Sequence, residues 1–392
     1  MMNLAQFGGG GDTLSNVIWF VLFFVFIMFY PKLLITQTVL KLEKDVADLE
    51  QMAERARTYI IRALPNRKNP KVVKGVKNFM EFFAISPVDI DPYGVVKKLD
   101  HVIKQSDQRF TYFVKQIAPE FSEERQKDIK NALAGAITTH QIAKIVRHFL
   151  ETVKKYKLFQ LALILQMQIP LITRLAKASE KATEAFVNET PIGDSIGPLI
   201  VSNLIRGRPK VYEEDEFTVY KTRINGKNVW LSKASGPGAS TGYPGKFLQK
   251  LIKRQRIDRI ITIDAGLRLE GEKSGEVAEG VGVAIGGSGV DRYEIEEIAV
   301  RNNIPLDAIA IKVSDEEALM PMKKEILNSV PNAIEILNET IKRGKRGENI
   351  LVMGIGNTCG VGDSYKNVKS AETKIKDAIR KAEKEPEKKK LF

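Results

Sequence analysis

An apolar run near the start of the chain predicts a helix that crosses a membrane. Residues 14–30 read LSNVIWFVLFFVFIMFY and contain no charged side chain. This length is at the short end of the ~17–25 residues that a helix needs to span a bilayer. No basic residue precedes the run and no small-residue cleavage site follows it, which argues against a signal peptide. We therefore expect a permanent transmembrane helix over residues 14–31, with a buried or interfacial helix as the alternative.

The charges on either side of this run predict its orientation. Residues 32–75 contain ten Lys or Arg and five acidic residues, whereas Asp12 is the only charge in residues 1–13. Positive charge accumulates on the cytoplasmic side of membrane proteins. We expect a single-pass protein of the cell membrane, with residues 1–13 as a short extracytoplasmic tail and the bulk of the chain in the cytoplasm. A second apolar run, residues 158–173, contains three glutamines and Pro170, which favours a buried helix over a second span.

A heptad repeat of apolar residues follows the predicted span. Its two core positions are occupied by Ile35, Leu42, Leu49, Ala56 and Ala63 and by Val39, Val46, Ala53 and Ile60. Such a repeat is typical of a coiled coil, or of a long helix that packs on neighbours in the same chain. The first interpretation predicts a helical stalk over residues 32–64 and a homo-oligomer formed through Ile35–Ala63. The second interpretation requires no oligomer.

The central part of the chain predicts a helical domain. Residues 72–206 contain several amphipathic helical patterns and no convincing strand pattern. The segment PIGDSIGP, residues 191–198, places Asp194 and Ser195 at the start of the last of these helices. A helix start of this kind can bind an anion, and the alternative is a turn that Asp194 or Ser195 caps.

From residue 217 the pattern changes to that of an α/β domain. Residues 217–224 and 227–234 flank Asn225-Gly226, which is the strongest hairpin signal in the chain. After this hairpin, strand patterns and helix patterns alternate along the chain. This alternation predicts a mostly parallel sheet with an antiparallel hairpin at one side, within residues 211–380. The further strand patterns lie at residues 259–264, 307–313 and 349–355, and residues 280–285 are a strand or a glycine-rich loop.

Glycines at the ends of these strands predict a ligand site. The spacing G-x-G-x-x-x-G occurs three times, beginning at Gly236, Gly280 and Gly354. Ligands of open α/β sheets bind at the carboxyl ends of the strands, where glycine-rich turns admit a phosphate or carboxylate. Neither the dinucleotide nor the phosphate-loop pattern is matched, and the alternative is tight turns without a ligand. The expected ligand-binding residues are Gly236, Gly238, Ser240, Thr241, Gly242, Gly282, Gly286, Gly287, Gly354, Gly356, Asn357, Thr358, Gly360, Asp194 and Ser195.

The long loop over residues 263–292 adds acidic residues to this site. Asp264 ends a buried strand pattern, and Glu270 and Glu272 follow it. Carboxylates without a nearby histidine favour a hard cation such as magnesium, or acid–base chemistry, over zinc. We therefore expect Asp264, Glu270 and Glu272 as candidate metal ligands. The alternatives are a strand-end acid that caps the next turn and a solvated loop.

Composition and charge narrow the functional classes. The chain has 392 residues, of which 43% are hydrophobic, enough for two or three globular domains. The single cysteine, Cys359, excludes an internal disulfide, and the α/β domain has no histidine that would activate it as a nucleophile. The formal net charge of +13 is not accompanied by a nucleic-acid-binding motif, so nucleic acid is an unlikely partner. Much of this charge lies beside the predicted span and in residues 381–392, which we predict to be a charged, disordered tail.

Several long motifs resemble one protein family. They are PVDIDPYGVVKKLDH (87–101), QMQIPLI (166–172), PIGDSIGPL (191–199), GPGASTGYPG (236–245) and LEGEKSGEVAEGVGVAIGGSGV (269–290). Together these motifs resemble an archaeal membrane-anchored family known as domain of unknown function 1512, over nearly the whole chain. The resemblance implies an archaeal membrane protein and implies no activity.

A remote resemblance concerns the α/β domain alone. Residues 263–265 and 304–318 look like segments of the spore germination proteases, and GIGNT, residues 354–358, is similar to a loop of the hydrogenase maturation proteases. Both groups have a phosphorylase/hydrolase-like α/β fold. The resemblance implies that Asp264 and Asp315 are catalytic acids, although no histidine is available here for the metal site of the maturation enzymes.

These observations support three functional hypotheses. In the first, the cytoplasmic α/β domain binds an anionic, phosphate- or nucleotide-like small molecule between the three glycine-rich loops, with a divalent cation such as magnesium as an optional cofactor. In the second, the chain is a membrane-tethered hydrolase or peptidase that uses Asp264 and Asp315. In the third, it is an oligomeric membrane scaffold without a ligand. The sequence does not decide whether the protein is an enzyme.

Overall fold

The computed structural model describes residues 13–87, 94–287 and 289–389, and the chain divides into two compact units. The first unit consists of Met1–Gln51 and Ile142–Thr173, and the second of Met52–Gln141 and Arg174–Phe392. Residues 1–12 of the predicted extracytoplasmic tail lie outside the described part of the chain. Three long helices each contribute residues to both units.

All regular elements of the described chain before residue 205 are helical, as the amphipathic patterns over residues 72–206 predict. The long helices α1, α4 and α5 each contribute one end to the first unit and the other end to the second. Two described helices, residues 17–63 and Phe159–Val187, are long and apolar enough to cross a membrane. Their bounds are α1 Thr13–Ala63, α2 Pro70–Phe79, α3 Val95–Ile117, α4 Glu123–Tyr156, α5 Phe159–Val187 and α6 Ile196–Leu204.

The heptad repeat of α1 is buried within the chain itself. In the first unit Leu42, Val46 and Leu49 have no exposed surface, and in the second unit Ala56 and Ile60 have none. An apolar stripe shows that one helix face is covered, but it does not show whose chain covers it. The coiled stalk is therefore not confirmed, and the long helix packed on its own neighbours describes this region. The homo-oligomer through Ile35–Ala63 stays a prediction.

The α/β domain contains a seven-stranded mixed sheet in the order β1-β2-β3-β7-β4-β6-β5. The four central strands are parallel, and the outer strands pair antiparallel. The predicted hairpin is present as β2 and β3, and its Asn225 and Gly226 both have positive φ. The strand bounds are β1 Lys210–Tyr212, β2 Phe217–Ile224, β3 Lys227–Ala234, β4 Arg259–Leu267, β5 Val277–Val281, β6 Leu306–Val313 and β7 Asn349–Gly354.

Helices cover both faces of the sheet. Successive side chains of a strand point to opposite faces, so the buried strands offer apolar side chains to the helices on each side. Val229 and Leu231 pack with α6 and α11 on one face, whereas Trp230 packs with α7 and α8 on the other. The helix pattern over residues 316–342 is divided into three helices, with Pro321 between the first two and Pro331 at the start of the third. The helix bounds are α7 Pro244–Ile252, α8 Val290–Arg301, α9 Asp315–Leu319, α10 Lys324–Asn328, α11 Val330–Arg343 and α12 Tyr365–Lys389.

Several observed element ends differ from the sequence patterns. Strand β4 continues to Leu267, three residues beyond the predicted end at Asp264. The strand pattern at residues 280–285 corresponds to β5, which ends at Val281, and residues 283–286 are loop. Helix α12 continues to Lys389, into the segment 381–392 that the charge pattern assigns to a disordered tail. Its lysines and glutamates are good helix formers, so charge alone does not separate a solvated helix from a disordered tail.

Candidate functional site

The sheet topology opens a crevice at the carboxyl ends of the parallel strands. Helices α7 and α8, which follow β3 and β5, lie on one face of the sheet, and α12, which follows β7, lies on the other face with α6. Strand β7 lies between β3 and β4 in the sheet. The chain therefore leaves β3 towards one face of the sheet and leaves its neighbour β7 towards the other face. Crevices of this origin are the usual ligand sites of open α/β sheets.

A cavity of about 610 Å³ lies at this edge, within the second unit. Such a volume is within the range of small-molecule sites. The loops that follow β3, β5 and β7 form one wall, and side chains of α3, α4 and α5 form the opposite wall. The turn at residues 192–194, β4 and the starts of α7 and α8 also contribute lining residues.

The three glycine-rich loops converge on this cavity. Seven predicted ligand residues of the loops line it, together with Asp194: they are Ser240, Thr241, Gly242, Gly286, Gly287, Gly356 and Asn357. The other predicted ligand residues do not line the cavity: they are Gly236, Gly238, Gly282, Gly354, Gly360, Ser195 and Thr358. The structure therefore brings the loops together, but only part of each loop faces the space between them.

Thr358 connects two of the loops from behind the cavity wall. Its hydroxyl lies 2.7 Å from the carbonyl oxygen of Gly238 and accepts a hydrogen bond from the backbone N–H of Ser240 at 3.2 Å. The backbone N–H of Thr358 in turn donates to the carbonyl oxygen of Ser240 at 2.9 Å. Thr358 is fully buried, so its position indicates a structural role in holding the first and third loops together.

Two aspartates in the cavity wall are held by amides of the glycine-rich loops. Asp264 is buried in β4 and accepts hydrogen bonds from the backbone N–H of Ala265 at 2.7 Å and of Gly286 at 3.1 Å. Asp194 accepts a hydrogen bond from the backbone N–H of Asn357 at 2.8 Å. The second and third loops thus each use one amide to orient a carboxylate rather than to contact a ligand.

The environment of this pair favours protonated carboxyl groups. Burial raises the pKa of Asp264 well above its usual value, and the charge of Asp194 raises it further. Burial likewise raises the pKa of Asp194, against the hydrogen bond from Asn357. Two interacting carboxyls in a desolvated site cannot both ionise easily, so they release their protons in separate steps.

Acidic side chains outnumber basic ones around the rest of the cavity. Besides Asp194 and Asp264 it is lined by five acidic residues, whereas the lining contains two lysines, Lys130 and Lys246. Burial raises the pKa of Asp291, which reduces the charge of this wall. The lining therefore favours a cation or a metal-bound ligand over a free anion. The five additional acids are Asp100, Asp107, Glu216, Asp291 and Glu294.

Sequence reasoning missed this acidic wall because its residues come from separate helices. Asp100 and Asp107 are seven apart on α3 and share one helix face with Ile103, which also lines the cavity. That spacing is the one signal in the sequence that could have suggested a site on α3. Asp291 and Glu294 are on α8, whose place beside α3 follows only from the tertiary structure.

The remaining predicted acids lie away from the cavity. Asp315 is exposed at the start of α9 and is not part of the lining. Glu270 is exposed, and Glu272 pairs with Lys312 at 2.5 Å. The structure therefore does not bring Asp264, Glu270 and Glu272 together around this cavity. Among the described residues there is also no group of three or more His, Cys, Asp or Glu that could hold a metal ion.

Cys359 lies beside the cavity wall in the core. The side chain is fully buried in the hydrophobic cluster of the helical region. Burial raises the pKa of its thiol well above the usual value, and the charge of Asp128 adds to this effect. A neutral, inaccessible thiol agrees with the expectation that Cys359 is not a nucleophile.

The fold and the cavity define a class of protein in which a helical region precedes a mixed α/β domain and both line one polar cavity. The chain belongs to the DUF1512 family of proteins of unknown function. Residues 16–189 match the DUF1512 N-terminal domain, and residues 192–362 match the DUF1512 C-terminal domain. No curated protein and no solved structure matches the chain. The archaeal origin and the protease resemblance stay predictions.

Proposed function

We propose that the protein is anchored in a membrane by α1 and binds a small phosphate-bearing molecule together with a divalent cation in the cavity. The observation that carries this proposal is the convergence of three glycine-rich loops and two buried aspartates on one space of about 610 Å³. The glycine-rich loops are suited to the close approach of a phosphate group.

The acidic lining supports a ligand that arrives with a cation. Besides the Asp194 and Asp264 carboxyls, five acidic residues and only two lysines line the cavity, so the lining does not favour a free phosphate. Magnesium is usually held by one or two carboxylates, and the phosphates of the substrate complete its coordination. Asp194 and Asp264 are the two residues of this chain that would hold it. This arrangement needs no third protein carboxylate, in agreement with the separation of Glu270 and Glu272 from the cavity.

The membrane anchor rests on the first part of α1. The apolar side chains of residues 17–30 are exposed, and Trp19 and Phe20 are more than 70% exposed. A run of this kind is unfavourable in water and suits the interior of a bilayer. We propose that this helix spans the cell membrane once and that the rest of the chain lies in the cytoplasm, in line with the basic residues that follow the run.

Ligand-dependent stabilisation of the full-length protein in detergent tests the proposed site. ATP is the probe, with and without magnesium, and a ligand at a hundredfold excess over its Kd stabilises by about 2.7 kcal/mol. We expect stabilisation only when ATP and magnesium are both present, and we expect Asp264→Asn to abolish it. Asp315→Asn is the matched control, because it makes the same substitution on an exposed residue. The same measurement is repeated with other phosphate esters in the presence of magnesium. If none of these ligands changes the melting curve, the proposal is contradicted.

The aspartate pair favours a second candidate function, acid–base hydrolysis. A carboxyl whose pKa is raised beside another carboxyl can act as a general acid while its partner acts as a base. Asp264 would then work with Asp194 rather than with Asp315, which is exposed outside the cavity. Turnover of peptide and phosphate-ester libraries that disappears in both Asp194→Asn and Asp264→Asn, and persists in Asp315→Asn, would support this candidate. Turnover that survives both cavity substitutions would exclude it.

A further inference from the structure

The hairpin of α4 and α5 runs beside α1 in the first unit, and two ion pairs fix its height along that helix. Arg147 contacts Glu50 at 2.7 Å, and Lys154 contacts Glu43 at 2.6 Å. Seven residues forward on α4 therefore correspond to seven residues backward on α1, as expected for antiparallel helices. By the same relation the tip of the hairpin, residues 155–158, lies level with Leu40 and its neighbours.

This level is close to the expected edge of the bilayer. An α-helix rises 1.5 Å per residue, so Leu40 lies roughly 15 Å beyond Tyr30 and about 8 Å beyond Ile35. The apolar part of α1 ends between those two residues. The headgroup layer on each side of the hydrocarbon core is roughly 5–8 Å thick. If the apolar part of α1 spans the bilayer, the tip of the hairpin lies in the headgroup layer or just on its cytoplasmic side.

The chemistry of the tip fits an anionic lipid surface. Lys155, Tyr156, Lys157 and Leu158 are all exposed, Tyr156 by 60% and Leu158 by 43%. The ammonium of Lys155 lies 5.1 Å from the centre of the Tyr156 ring. Aromatic and basic side chains are the usual residues at a membrane interface, where each lysine is attracted by anionic headgroups.

The charge of the hairpin tip supports the same partner. No Asp or Glu occurs in the sequence from residue 152 to residue 179. Lys154 is paired with Glu43, and on the neighbouring part of α1 Asp45 follows Lys44, so Lys155 and Lys157 carry most of the excess positive charge. The positive charge of this end of the unit is therefore concentrated where the membrane surface is expected.

We infer that residues 155–158 form a second membrane contact, which binds anionic lipid headgroups in the cytoplasmic leaflet. This inference rests on the proposed anchor and goes beyond it, because one helix leaves the unit free to rotate and tilt. A second contact at the tip would fix the orientation of the first unit on the membrane.

Spin-label accessibility in the full-length protein tests the contact. Cys359 is fully buried, so a label attaches at an introduced cysteine, and Leu158→Cys places it at the tip. Ile145→Cys is the matched control on α4, the helix that leads to the tip, because Ile145 is 55% exposed and lies roughly 20 Å further from the membrane. In nanodiscs with anionic lipid, the label at residue 158 should favour lipid-soluble oxygen over a water-soluble nickel chelate, and the label at residue 145 should not. Equal aqueous accessibility at both positions would overturn the inference.

A charge-removal series separates this inference from the proposed anchor. Lys155→Gln with Lys157→Gln should lower the equilibrium constant for tip contact about 30-fold, since each lysine near an anionic surface contributes about fivefold. Lys366→Gln with Lys369→Gln removes the same charge from exposed positions of α12 and should have no effect. Alkaline extraction of membranes tests the anchor alone. Release of the chain would overturn both proposals, whereas retention with an aqueous label at residue 158 would overturn this inference only.

Discussion

Asp194 lies in the turn before α6 and Asp264 lies in β4, yet both line one cavity, and the charge of Asp194 raises the pKa of Asp264. Each carboxylate is held by a backbone amide of a different glycine-rich loop. Both residues lie in the C-terminal family domain, residues 192–362, so this one domain contains the whole titrating pair. Its consequences for stability and ligand binding can be measured separately.

The first prediction concerns the pH dependence of stability. Because the pKa of Asp264 is raised on folding, its contribution is fully present below the unfolded pKa of about 4 and is lost as the pH rises through the folded pKa. The loss is about 1.4 kcal/mol for each unit of pKa shift. Asp264→Asn should flatten this decline and should be more stable than the wild type at pH 8. Chemical unfolding from pH 4 to 9 measures it, with Asp315→Asn as the control; equal slopes for all three proteins would contradict the assignment.

The second prediction concerns Asp128, which connects α4 to the loop after β3. Asp128 accepts a hydrogen bond from the backbone N–H of Ala239 at 2.8 Å, and burial raises its pKa to about 7. The folded state should therefore lose stability as the pH rises from about 4 to about 7, by up to about 4 kcal/mol. Asp128→Asn keeps an acceptor for Ala239 and should remove this loss.

Unfolding curves at pH 5 and pH 8 test Asp128 directly. The free energy of unfolding should differ less between pH 5 and pH 8 in Asp128→Asn than in the wild type. The wild-type difference should persist in Asp377→Asn, which replaces an exposed aspartate on α12. A pH difference in Asp128→Asn as large as that of the wild type would contradict the raised pKa of Asp128.

The third prediction concerns Gly356 in the loop after β7. Its φ is +123°, and a Cβ at this position would overlap the carbonyl oxygen of Asp194. Gly356→Ala should destabilise the protein by about 2 kcal/mol or more and displace Asp194 from the cavity wall. Gly280→Ala is the control, because no atom lies within 4 Å of the Cβ that it would add. Thermal unfolding and ATP-magnesium binding are the two measurements, and wild-type values for both in Gly356→Ala would contradict the described loop.

The fourth prediction concerns the ion pair between Lys233 and Asp363. Lys233 is fully buried in β3, and its ammonium donates to Asp363 at 2.6 Å. Asp363→Asn leaves the lysine charge buried without a carboxylate and should cost about 3 kcal/mol. The double variant Lys233→Met with Asp363→Asn should recover most of that loss, because it also removes the buried charge. Additive losses in the double variant would show that the two residues act independently.

The sequence alone determined the elements whose signals are local. The Asn225-Gly226 hairpin and the strands around residues 259, 307 and 349 were predicted because side-chain alternation and turn residues act over a few positions. The convergence of the first and third glycine-rich loops followed from the rule that the ends of parallel strands share one edge of a sheet. The second loop follows β5, which is antiparallel to β6, and it reaches the site by returning along β4. Asp264 was predicted in the same way, from its place at the end of a buried strand.

Only the tertiary structure decided which surfaces meet. The heptad repeat of α1 gave an apolar stripe correctly, but the chain's own helices cover it, and periodicity carries no information about the covering chain. Asp315 was predicted beside Asp264, whereas Asp194 occupies that place. The acidic wall of α3 and α8 was not predicted, because its members are far apart in sequence. Periodicity reports the burial of one element at a time, whereas a site depends on distances between elements, which packing alone sets.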